Sequence, residues 1–193
     1  MIRHIDARIA AIATRTTATW EGDASMILGL FETHIAVADL ERACRFYGET
    51  LGLELGLLDQ ERRVAFYWVG ARGEAMLGLW ETRADQIRPQ HFAFRAGIDD
   101  MRNRAVPYLK ERNLPAHNFL NDGSERPMVF GWMPAVAIYF RDPDGHSLEF
   151  IAMLPDAPRP EVGVVSWDDW QRLMRCSARG NPSPITKRVP RAI

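Results

Sequence analysis

Two short segments of this chain begin alike, each on a histidine, and each is followed by the same succession of patterns. His34-Ile35-Ala36-Val37-Ala38-Asp39-Leu40 and His91-Phe92-Ala93-Phe94-Arg95-Ala96-Gly97 both read as a strand that breaks at a turn and feeds a helix. After the first, Leu40, Ala43, Cys44 and Tyr47 fall at i, i+3, i+4 and i+7, the spacing of an amphipathic helix, and Gly52 closes it. Leu53–Leu58, Arg63–Val69 and Ala75–Trp80 then follow as short apolar runs between charged or glycine-containing turns. After the second, Ile98 to Glu111 predicts a helix with Asp99 or Asp100 in capping range, and Pro107 either kinks it or marks its first turn. Pro115 to Pro134 reads as a long loop. Val136–Arg141 and Ser147–Met153 read as strands joined by a tight turn at Asp142-Pro143-Asp144-Gly145. The chain is therefore strand, helix and three strands, written twice.

Neither half can bury both faces of its sheet alone, and pairing the two sheets around a cleft solves that problem. The expected class is α+β. The expected organisation is an N-terminal extension over residues 1–26, modules at 27–83 and 84–157, and a C-terminal helix and tail at 158–193. The first strand is read over 27–37 and the C-terminal helix over Trp167–Met174. With 193 residues, the chain suits one domain or two small modules sharing a core.

Charge and cysteine usage exclude several classes. A net charge of −1 provides no field for nucleic acid or an anionic membrane. The basic positions Arg179, Lys187, Arg188 and Arg191 read as a solvated tail. No apolar run approaches the roughly 18 residues of a membrane span, and the first residues lack the apolar stretch of a secretory signal. Cys44 and Cys176 do not make a disulfide framework, so a reducing compartment, the cytoplasm, is the expected location.

Alternate strand residues share a face. That groups His34 with Ala36, His91 with Ala93 and Arg95, and Glu149 with Ser147 and Ile151. If the sheets curve into one cleft, His34, His91 and Glu149 converge. Two imidazoles and one carboxylate suit Fe(II), Mn(II), Zn(II) or Ni(II) and leave positions open for water or substrate. The alternative for each histidine is an ordinary core or surface residue.

These segments resemble the vicinal oxygen chelate superfamily, which includes glyoxalase I, fosfomycin- and bleomycin-resistance proteins and extradiol dioxygenases. The likeness covers about residues 27–154. It rests on His34 to Val37 with Asp39-Leu40 and Phe46-Tyr47 downstream, on Gly52-Leu53, on His91, and on Asp142-Pro143-Asp144-Gly145-His146 leading to Glu149. The resemblance implies two βαβββ modules forming a metal-holding cup, with His34, His91 and Glu149 as ligands of a divalent metal ion and a homodimer as the assembly. It places Gly78 where glyoxalase I has a fourth, glutamate ligand, which argues against glyoxalase I chemistry unless Glu81 or Glu74 takes that part. Tyr139 matches a tyrosine beside the metal-bound substrate of the resistance transferases and dioxygenases. His117 is the candidate for a dioxygenase acid–base histidine, and His146 belongs to a structural turn. Ala36 stands where the fosfomycin-resistance proteins have threonine, and Arg126 alone stands for their cationic loop residues. Phe130, Trp132 and Met133 are candidates for an apolar lid.

The expectation is a metal-dependent dioxygenase or Lewis-acid lyase or transferase acting on a small molecule with adjacent oxygens. The alternative is a ligand-sequestering protein of the bleomycin-resistance type without metal chemistry.

Overall fold

The computed structural model describes residues 27–178. The N-terminal extension read over residues 1–26 and the basic tail after Ala178 lie outside the described residues. Every element belongs to the unit that begins at Phe31.

In the first module β1 (Glu32–Val37) leads into α1 (Leu40–Cys44) and a π-helical turn (Arg45–Thr50); β2 (Glu54–Asp59), β3 (Val64–Trp68) and β4 (Met76–Glu81) follow. The sheet order is β1-β4-β3-β2, with β1 parallel to β4 and the rest antiparallel. Asp39 caps α1, its carboxylate accepting from the Arg42 amide at 2.8 Å. Gly52 carries φ +74° beyond the last turn, a backbone region that favours glycine at a helix end. The first strand is shorter than expected. Its ladder begins at the Glu32–Met76 pair, where β4 itself begins.

The second module repeats the plan: β5 (His91–Arg95), α2 (Ile98–Asn103), α3 (Ala105–Glu111), β6 (Met128–Phe130), β7 (Ala135–Arg141) and β8 (Ser147–Met153). β5 runs parallel to β8 as β1 does to β4. The order is β5-β8-β7-β6-β9, β9 (Val164–Ser166) closing the sheet before α4 (Trp167–Ala178). The expected single helix is two. Pro107 has no amide to offer the Asn103 carbonyl and its ring crowds that oxygen, so the helix ends there and Pro107 falls in the first turn of α3. β6 lies inside the stretch read as loop, and β9 was not expected.

One apolar core spans both modules. It joins Ile35, Val37, Leu77 and Leu79 of the first sheet to Met101, Leu109, Ile138, Phe140 and Leu148 of the second module. Burying each such side chain contributes roughly 1.5–3 kcal/mol. The strand residues among these occupy one face of each sheet. The opposite faces carry His34, Phe66 and Trp80 on the first sheet and His91, Tyr139 and Glu149 on the second. The turn at Asp142–His146 ties the modules. Tyr47 donates its hydroxyl to Asp142 at 2.9 Å, and Arg42 pairs with Asp144. The fully buried His146 accepts from the Gln90 amide at Nδ1 (3.0 Å) and donates from Nε2 to the Ala36 carbonyl (2.8 Å).

Candidate metal centre

Register builds the centre on the second sheet. β8 lies between β5 and β7, and Glu149 is paired with Ala93 on one side and Tyr139 on the other. His91 opens β5 opposite Ser147, on the same face as Ala93 and Glu149. Its Nε2 lies 3.1 Å from Glu149 Oε2. Its Nδ1–H donates to the Ser147 carbonyl at 3.0 Å, which sets the ring and leaves Nε2 turned toward the carboxylate.

Glu149 is 3 % exposed, and its Oε1 is buried without a hydrogen-bond partner. Burial above all raises its pKa, against the opposing pull of His91 and Tyr139. A buried carboxylate with an unused oxygen, facing an imidazole nitrogen, is a donor pair that a divalent cation would satisfy.

Three rings line the same face in a row. Tyr139 lies between His91 and His117, at centroid separations of 5.7 Å and 5.8 Å. His117 was expected in a loop of undetermined place; the chain instead forms a bridge there, with reciprocal backbone bonds of 2.9 Å to Tyr139. Burial raises the Tyr139 phenol, with the Glu149 charge adding to it. Burial lowers His117, with Arg141 adding to it. Phe119 and Phe130 continue the wall beyond Tyr139. Phe130 packs into this wall from β6, while Trp132 is exposed in the following turn.

His34 stands on the first sheet. It faces Gly78 across the β1–β4 ladder and packs against Phe66 (5.6 Å) and Trp80 (5.4 Å). A Cβ at Gly78 would meet His34 Cδ2 at 2.6 Å and Phe66 Cε1 at 3.0 Å, so glycine there makes room for the ring. Nε2 of His34 contacts the carboxylate of Glu32, two residues earlier on the same face. Glu32 escaped the sequence reading, although its i, i+2 spacing from His34 was the available signal. The structure thus brings His91, Glu149, Tyr139 and His117 together and holds His34 on the other sheet. Among the described residues, no three His, Cys, Asp or Glu side chains gather at one point of a single chain.

The model of the glyoxalase/bleomycin resistance protein/dioxygenase superfamily matches residues 29–150. The chain belongs to this superfamily. An integron cassette protein from the mobile metagenome of the Halifax Harbour sewage outfall is 38% identical, with a TM-score of 0.56 over 66% of this chain and 100% of its own. Lactoylglutathione lyase from Agrobacterium tumefaciens is 22% identical, with a TM-score of 0.51 over 66% of this chain and 96% of its own. A glyoxalase/bleomycin resistance protein/dioxygenase from Nocardioides is 18% identical, with a TM-score of 0.52 over 79% of this chain and 96% of its own. The last two share the superfamily fold. No curated protein matches the chain. Superfamily members are generally metal-dependent and commonly form dimers. Among the described residues no helix is long and apolar enough to cross a membrane.

Proposed function

We propose that the protein is a divalent-metal-dependent enzyme acting on a small substrate with two neighbouring oxygens, its metal held by His34, His91 and Glu149. The observation that carries this reading is the His91–Glu149 pair. One imidazole nitrogen is tied back by a carbonyl, the other faces a buried carboxylate, and that carboxylate keeps an unpartnered oxygen. A metal bound there would act as a Lewis acid on a substrate oxygen, or, if iron, handle dioxygen.

Each residue around the pair has a part. Tyr139 keeps its proton well above neutral pH and so donates a hydrogen bond to a substrate oxygen beside Glu149. His117, pushed down by burial, is an unprotonated base on the far side of Tyr139 and accepts a substrate proton. Phe130, buried in the wall it shares with Tyr139, excludes water from that side of the site.

Because His34 lies on the other sheet, we place the complete centre between two copies of the chain, the His34 face of one against the His91–Glu149 face of the other. The homodimer is then a requirement of the site. Both cysteines are unpaired, in keeping with a reducing compartment such as the cytoplasm.

The test is metal content by elemental mass spectrometry, for the wild type and for His34→Ala, His91→Ala and Glu149→Ala. Near-stoichiometric metal lost in all three supports the reading. Protein that takes up none of iron, manganese, zinc or nickel defeats it and leaves a ligand-sequestering module of the bleomycin-resistance type.

A further inference from the structure

We propose that Glu32 is a fourth metal ligand, acting beside His34 and supplying the carboxylate that position 78 lacks. The inference rests on the metal-centre reading above and deepens it.

The two modules carry matching pairs. On the second sheet a glutamate oxygen faces His91 Nε2; on the first, the Glu32 carboxylate contacts His34 Nε2. In both, an imidazole and a carboxylate project from one sheet face toward a common point. Glu32 and His34 share their face because they are two residues apart on β1.

An orienting role does not account for the contact. The His34 ring is already seated by Phe66, by Trp80 and by the bare backbone of Gly78. A group that orients a ligating histidine bonds the nitrogen away from the metal, as the Ser147 carbonyl does with His91 Nδ1. Glu32 instead meets Nε2, the nitrogen that corresponds to the one His91 turns toward Glu149. Position 78 has no competing claim, since any side chain there runs into His34 and Phe66.

The ligand count bears on the chemistry. Three protein ligands on a six-coordinate ion leave room for two substrate oxygens and dioxygen, as in the two-histidine, one-carboxylate oxygenases. Four ligands leave two positions, which a substrate with adjacent oxygens fills. The donor set His34, Glu32, His91 and Glu149 therefore favours Lewis-acid isomerase, lyase or transferase chemistry over dioxygen activation.

The test uses Co(II) as the probe. Metal-stripped full-length wild type, Glu32→Ala, Glu32→Gln, His34→Ala and Glu149→Ala are titrated with Co(II) and followed by visible absorption, and the Co(II)-loaded wild type is crystallised. The expected crystal structure has a Glu32 oxygen at about 2.0–2.2 Å from the ion. Both Glu32 variants are expected to bind about tenfold to hundredfold more weakly with an altered spectrum. Glutamine keeps the size and hydrogen bonding of Glu32, so a Glu32→Gln spectrum identical to wild type overturns the proposal. A Glu32 carboxylate outside bonding distance of the bound ion overturns it as well. If those results come while His34→Ala and Glu149→Ala lose Co(II), only the fourth ligand is wrong. If His34→Ala and Glu149→Ala bind Co(II) as the wild type does, the metal-centre reading fails with it.

Discussion

Gly78 shows how a single position decides what the face around it can hold. It is the one residue of β4 directly across from His34, and the imidazole occupies the space a side chain would need. Introducing Gly78→Glu, the residue glyoxalase I has there, is therefore not expected to create a ligand. The new Cβ must displace His34 or Phe66, and overpacking of this kind costs about 1–3 kcal/mol. A drop in thermal midpoint together with reduced metal content in Gly78→Glu checks this. A variant as stable as wild type that binds metal more tightly contradicts it. The same scale shows what residues alone reveal. His91 and Glu149 were legible as strand residues, although alternation fixes only which neighbours on its own strand each one shares a face with, and Tyr139 was legible through the resemblance. Glu32 was passed over despite sharing His34's face at i, i+2, because a glutamate in that place reads as a solvated charge.

Between elements, Arg63 is the connector of the first module. Its guanidinium bonds Glu41 of α1 at 2.7 and 2.8 Å and Glu81 of β4 at 2.9 and 2.6 Å. Glu81 also accepts from the Leu40 amide at the start of α1, at 2.7 Å. Bonding to Arg63 lowers Glu41 to about 2 and lowers Glu81 as well. A carboxylate whose folded pKa is depressed stabilises the fold above its ordinary value of 4.5, and that contribution is lost as pH falls toward about 2. Arg63→Gln should thus flatten the dependence of stability on pH between those limits, read as the difference in urea midpoint between pH 5 and pH 2.5. The effect should shrink in high salt, since the cluster is solvent-accessible. An unchanged acid limb in Arg63→Gln counts against the assignment. At this scale the long strands were readable from alternation. β6 and β9 were not, because each has three residues and too few side chains to show a period. Both exist because β7 leaves a sheet edge: β6 pairs with it, and β9 then pairs with β6.

Over the whole molecule, the shared core makes the modules one cooperative unit. Trp80 reports on the first sheet and Trp170 on α4, and their transitions in denaturant should coincide. His146→Ala removes the bridge between the Gln90 amide and the Ala36 carbonyl. Each buried group left without a partner costs about 1–3 kcal/mol, so the midpoint should fall while the transition stays single. Two separated transitions would show that His146, and not the core, couples the modules. The placement of the site between copies makes a different prediction. His34→Ala and Glu149→Ala homodimers should each lack bound metal. After unfolding and refolding together, mixed dimers should recover one intact site, and metal content should rise toward a quarter of the wild-type value per chain. No recovery in mixtures that demonstrably exchange subunits would place the centre within one chain.

The α+β class, the doubled strand–helix–three-strand order and the superfamily were determined by sequence alone. Hydrophobic period is a local property, and the Asp142-Pro143-Asp144-Gly145-His146 turn carries its own backbone requirement. Tertiary structure decided which face each sheet turns to the core, and through it the relation of the histidines. β5 lies beside β8, so His91 meets Glu149. β1 lies beside β4 in the other sheet, so His34 meets Glu32 and Gly78 instead. Strand pairing is a contact between distant segments, settled by burial of the common core and not by any pattern within the segments themselves.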